Sequence, residues 1–257
     1  MNAVALFGKP QHRQRAITRR LVSLPIIVCC FTLAAGASRE GQTGVSRGSD
    51  GGQTPDVWTR TFGVEPGELV STGRNPYFVL EPGYQLVLEG GSVRLTVTVL
   101  DATKTVAGVE TRVVEERETD KGSLVEVSRN YFAISARTNS VFYFGEDVDI
   151  YKNGAITSHE GAWLAGTNGA QFGLMMPGEA LLKARYYQEV APKVAMDRAE
   201  IVGLAASVPT PAGVFGNCLR IEETTPLEPG TTAAKYYARG IGLVQDGSLK
   251  LVRHTAR

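Results

Sequence analysis

Acid–base, nucleophilic and metal chemistry each need a few residue types held close together. This chain of 257 residues offers few such groups. The densest acidic run is Glu146, Asp147 and Asp149, with Asn153 close behind. Calcium takes six to eight oxygens, and grouped carboxylates supply them. The order departs from a helix–loop–helix calcium loop, because Tyr151 and Lys152 fall where an oxygen ligand and a glycine are needed. If the run is a strand, Asp147 and Asp149 share one face. Glu146, Asp147 and Asp149 are therefore a candidate weak cation site, against the plainer reading of a solvated face.

The other reactive types fare no better. His159 and His254 are the histidines beyond the first 37 residues. His159-Glu160-Gly161-Ala162-Trp163 starts like a zinc-protease helix, but Trp stands where the second histidine belongs. Gly44-Val45-Ser46-Arg47-Gly48 spells a nucleophile elbow without the flanking strand and helix that strain one. Cys218 has no histidine near it and reads as a small buried hydrophobe. The expectation is a protein that is not an enzyme, with no catalytic residue and no cofactor.

The aromatics are the remaining candidates. Tyr131-Phe132, Phe142-Tyr143-Phe144, Tyr186-Tyr187 and Tyr236-Tyr237 are adjacent groups. Neighbours on a strand point to opposite faces, so each group sends one ring inward. Tyr143, Trp163, Met175, Met176, Tyr186 and Tyr236 are the candidate lining for a flat or apolar ligand held by a curled sheet.

The elements that must position these residues have a period of two. Segments 94–100, 109–117 and 124–134 alternate and are rich in β-branched residues. Short turn signals separate them, and short turns join antiparallel neighbours. Asn153-Gly154 is the strongest hairpin signal, since both central positions of a type I′ turn want positive φ. Glu-Pro-Gly triplets begin at Glu65, Glu81 and Glu228 and are turn chemistry. Segment 161–180 is Gly-rich and apolar and reads as a long loop with one short strand. Residues 180–184 favour a half-turn of helix, leading into a strand over 186–190. Further strands are expected at 199–208, 213–222, 232–238, 242–245 and 248–254. The fold class is all-β: an antiparallel meander forming a strongly curved sheet or half-open barrel, with 161–190 across its mouth or concave face. A two-sheet β-sandwich is the alternative.

The N-terminus reads as a secretory signal over residues 1–37. Arg13, Arg15, Arg19 and Arg20 precede an apolar stretch that ends in Ala35-Gly36-Ala37. The stretch, broken by Pro25, falls short of the about 20 residues that cross a bilayer. Thr18-Arg19-Arg20 fits a twin-arginine signal only loosely. Lipid attachment at Cys29 or Cys30 lacks a small preceding residue. Residues 38–57 read as a flexible Gly/Ser/Thr linker, and 58–257 as one domain. Without the leader, 22 basic residues face 26 acidic ones, a balance of −4. A mildly acidic chain argues against nucleic acid as partner.

Asn75-Pro76-Tyr77-Phe78 with Glu81-Pro82-Gly83 resembles a family of exported bacterial proteins without an assigned function. So do Tyr143-Phe144-Gly145-Glu146-Asp147-Val148, Glu160-Gly161-Ala162-Trp163, and Lys235-Tyr236-Tyr237-Ala238 with Gly240-Ile241-Gly242-Leu243-Val244. The resemblance spans about Asn75 to Val244, and its ending is similar to curved-sheet exported domains. It implies export to the periplasm or beyond and an all-β shell, and it brings no catalytic residues. The expected role is binding of an apolar small molecule or lipid in the concave face. The alternative is a cell-envelope scaffold with a protein partner, and a hydrolase is the least supported reading.

Overall fold

A computed structural model describes residues 57–255. The leader, the twin-arginine pair, Cys29, Cys30, the elbow-like motif and all but the last residue of the linker lie outside them.

A single 3-10 turn, Pro66–Glu68, precedes β1 (Leu69–Val70). β2 (Gly73–Asn75) and β3 (Phe78–Leu80) form a separate two-stranded ribbon. β4 (Gln85–Gly90), β5 (Val93–Val106), β6 (Val109–Asp120), β7 (Ser123–Ser135) and β8 (Val141–Lys152) follow as a meander. β9 (Ala155–Ser158), β10 (Trp163–Leu164) and β11 (Gln171–Met176) all return onto β8. β12 (Arg185–Tyr187) and β13 (Glu189–Val190) are split by Gln188. β14 (Arg198–Thr210), β15 (Gly213–Thr224), β16 (Thr232–Ala238), β17 (Gly242–Asp246) and β18 (Leu249–His254) make a second meander.

β18 pairs with β4, so the two meanders join into one antiparallel wall. The seam falls between β12 and β13. β12 bonds β14 and β13 bonds β11, so one short extended segment straddles both edges. Gly173 permits this approach: a Cβ there would meet the Gln188 carbonyl oxygen at 2.3 Å. The sheet is thus nearly closed as a barrel, which removes the unpaired edges that an open sheet of this size exposes. A ring of this order excludes the sandwich.

The hairpin chemistry follows the turns. Asn153 (φ 54°) and Gly154 (φ 77°) join β8 to β9, as the type I′ reading requires. Ala107 with Gly108 and Lys121 with Gly122 repeat that geometry at the β5–β6 and β6–β7 turns.

Two expectations are corrected. Segment 161–190 does not lie across a mouth; through β10, β11 and the straddling segment it completes the wall. Residues 180–184 form a turn, and no α-helix occurs among the described residues. Sheet pairing outcompetes local propensity there: Lys183 N–H donates to the Ile201 carbonyl (2.7 Å) and Ile201 N–H to the Ala184 carbonyl (3.0 Å).

Alternation places Leu88, Leu95, Ile201, Leu219, Ile221, Leu249 and Leu251 in the core, each fully buried. The same inward face also carries acids. Glu116 stands opposite Ser128, Asn130 opposite Glu146, and Lys235 opposite Asp246. One part of the interior is therefore apolar and another is lined by ionisable groups.

Candidate functional site

Three segments build a cleft on the wall: Glu146 and Asp147 of β8, residues 162–170 around β10, and the loop Ala191–Val194 after the straddling segment. Its volume is about 250 Å³. Trp163 forms one side, and Thr167, Asn168, Pro192 and Val194 form an exposed rim. β10 reaches this position because Gly145, at φ 137°, has no Cβ; one would meet the Trp163 carbonyl oxygen at 2.3 Å. Trp163 and Glu146 are register partners and so share a face. The Trp163 ring packs edge-on against Tyr143, with centroids 5.2 Å apart.

Glu146 is the unusual group here. It is 4% exposed, and among the described residues no salt bridge reaches it. Its carboxyl is pushed well above the ordinary value, first by burial and then by Glu126 and Glu116; Tyr143 opposes the shift, and Asp197 adds to it.

Behind Glu146 runs a buried polar floor. Burial raises Glu116 to about 8, and Lys235 only partly offsets it. Glu189 is also raised well above its usual range by burial and by Asp197, although the Asp197 backbone N–H donates to it at 2.8 Å. Glu223 accepts from Gln188 Nε2 (2.9 Å) and pairs with Lys235 Nζ (2.7 Å). Asp246 lies 3.9 Å from the same amine and is raised to about 6 by burial. Burial alone would strip the proton from Lys235; Glu223 and Asp246 outweigh that and hold it charged. Asn130 donates to Ser128 Oγ (3.1 Å) and accepts from the Tyr143 hydroxyl (2.6 Å).

A second pocket lies against Phe78, Leu86, Phe132, Met175 and Leu243, with Glu116 as the acid in its lining. It measures about 50 Å³, room for a few waters and not for an acyl chain.

The residues singled out from sequence fall in several places. Trp163, Glu146 and Asp147 share the cleft, with Tyr143 packed behind Trp163. Met175 lines the small apolar pocket, and Met176 is fully buried core. Tyr186 is buried on β12 with an unpartnered hydroxyl. Tyr236 is half-buried on β16, next to the inward Lys235 and Tyr237. Asp147 binds Lys104 Nζ (2.9 Å) and the Tyr131 hydroxyl. Asp149 binds Arg129 (3.1 Å) and His159 Nδ1 (3.0 Å). Among the described residues no three metal-ligating side chains converge. Cys218 is fully buried, its thiol raised by burial and 3.3 Å from the Phe215 carbonyl. The rim residues and the inward acids Glu116, Glu189, Glu223 and Asp246 were not singled out. Their one local signal is an acid in phase with apolar neighbours, as Glu116 is with Val114.

No protein-family model matches the chain, and no curated protein does. Among solved structures it is similar to one described as "a putative lipoprotein from Parabacteroides distasonis ATCC 8503". The identity is 12% and the TM-score 0.34, over 72% of this chain and 100% of that one. A likeness that slight carries no argument about role. Among the described residues no helix is long and apolar enough to cross a membrane.

Proposed function

We propose that the chain is an exported, non-enzymatic β-barrel domain that binds a small molecule in the Glu146–Trp163 cleft. One observation carries this reading: a carboxyl with no cationic partner, nine-tenths buried, at the wall of an open cleft beside an indole ring. A buried acid without a partner costs stability, so its retention favours a use. At about 250 Å³ the cleft sits at the small end of ligand sites. The apolar pocket, at about 50 Å³, argues against a lipid chain as the ligand. The absence of an enzyme role rests on the two histidines: His159 has a side chain 68% exposed and already engaged by Asp149 and the Val148 carbonyl, and His254 lies at the end of β18. Export rests on the leader and on the likeness of the Tyr143–Val148 and Lys235–Val244 motifs to exported bacterial proteins.

A thermal-shift screen of neutral and charged fragments tests the reading, run on wild type and on Thr167→Trp. Thr167 is exposed at the rim, so a tryptophan there plugs the cleft without disturbing the core. Fragments that raise the melting temperature of wild type and not of Thr167→Trp support the reading. No stabilising fragment, or equal effects on both proteins, overturns it.

The β14–β15 hairpin favours a second reading, an envelope scaffold. Val214 is 73% exposed and Leu204 40% exposed there. Cross-linking from that hairpin to an envelope protein would support it.

A further inference from the structure

We infer that the cleft takes a small organic cation, an alkyl- or arylalkyl-ammonium, with its apolar body on Trp163 and its ammonium against Glu146. This rests on the binding reading above and names the ligand class.

The argument starts from charge. Glu146 is 4% exposed and faces groups of its own sign from every element packed around it. These are Glu116 of β6, Glu126 of β7, Glu189 of β13 and Asp197 ahead of β14. The neutral partners on hand are Tyr143 and Asn130. Lys235, the buried amine of this interior, is already engaged by Glu223 at 2.7 Å and Asp246 at 3.9 Å. Asp147, the next residue on β8, turns its carboxylate to the opposite face, where Lys104 holds it. An anion would meet acids on this wall. A neutral ligand would leave the stored acidity unused. A cation would favour the carboxylate form of Glu146 and pair with it in a poorly solvated place, where charge-assisted hydrogen bonds are strong. Trp163, together with Ala170, Ala191 and Val194, supplies the apolar wall, and an indole face suits a cation's alkyl or aryl body.

Burial and the surrounding acids favour the protonated form of free Glu146; on binding, the ammonium keeps its own charge and whatever proton Glu146 holds leaves to solvent. Binding therefore strengthens as pH rises toward the value at which free Glu146 ionises, by roughly tenfold per pH unit below it.

Isothermal titration of the full chain with phenethylamine, and with 2-phenylethanol as its neutral counterpart, tests this at pH 6, 7 and 8. Phenethylamine is expected to bind at least about tenfold more tightly than 2-phenylethanol, a difference of one factor of ten for each 1.4 kcal/mol. Heats in two buffers of different ionisation enthalpy should show net proton release on amine binding, up to one proton per amine. Glu146→Gln, which keeps the size of the side chain, should remove the preference for phenethylamine over 2-phenylethanol. The wild-type pH series carries the test alone if that variant does not fold. Equal binding of the two molecules, or amine binding without proton release or pH dependence, overturns the cation inference while the binding reading stands. Failure of both molecules, together with an empty fragment screen, overturns both.

Discussion

The two parts of the barrel interior are made by the same strands and solved in opposite ways. Around Phe78, Leu86, Phe132 and Leu243 the inward positions are mostly apolar, Glu116 standing at their border with the acids, and what space is left, about 50 Å³, is small. Around Glu146 the inward positions are acids with one lysine among them, and the wall opens into about 250 Å³. Alternation explains why a residue points inward but not which chemistry fills the position. The apolar part stabilises through burial, roughly 25 cal/mol per Å². The acidic part opposes folding wherever its groups ionise without a partner.

The largest break in this contrast is expected from Lys235→Ala. It leaves Glu223 and Asp246 buried without their cation, and removing one member of a buried pair costs about 3–5 kcal/mol. Chemical denaturation would measure it. Next comes Leu88→Ala in the apolar part, where Leu88 is fully buried; a loss of about 2–5 kcal/mol is expected, with no dependence on pH.

The pH profile sharpens the comparison further. Glu116 has a folded value of about 8 against 4.5 in the open chain. The folded state thus holds a proton that the unfolded chain gives up. Glu116 costs nothing below about 4.5, and its penalty grows up to about 8, at about 1.4 kcal/mol per unit as an upper bound. Asp246, raised to about 6, adds to the fall at the lower end of that window. Melting midpoints should therefore drop by the equivalent of a few kcal/mol between pH 5 and 8. Glu116→Gln should flatten the slope, and Leu88→Ala should leave it unchanged. A profile that rises over this range would contradict the assignment. The smallest effect is expected from Arg94→Ala, which removes an exposed pair with Glu89 at 2.6 Å; a change within about 0.5 kcal/mol in denaturant unfolding is predicted.

Much of the wall was legible in the chain. β16 runs over the expected 232–238, the Asn153-Gly154 turn sits where the dipeptide demands, and 109–134 alternates as two paired strands. Segment 161–190 was legible in part: the strand expected over 186–190 is there as β12 and β13, but the pairing of β10 and β11 with β8 was not, because these strands are two and six residues long and have little propensity of their own. The acidic interior was hidden for another reason. In Glu115-Glu116 and Glu222-Glu223 one acid points out and one in, and a charged doublet looks like a solvated turn until register separates the two. Glu146 and Trp163 stood out in the sequence, but nothing local joined them, since the cleft walls come from positions near 146, 163 and 192.

Crystals of the protein soaked with phenethylamine give the most direct test of the contrast between the two parts of the interior. The account predicts density for the amine between Glu146 and Trp163, with the Phe132–Leu243 pocket holding nothing larger than water. Density confined to that apolar pocket, or a cleft unchanged at saturating amine, would contradict it.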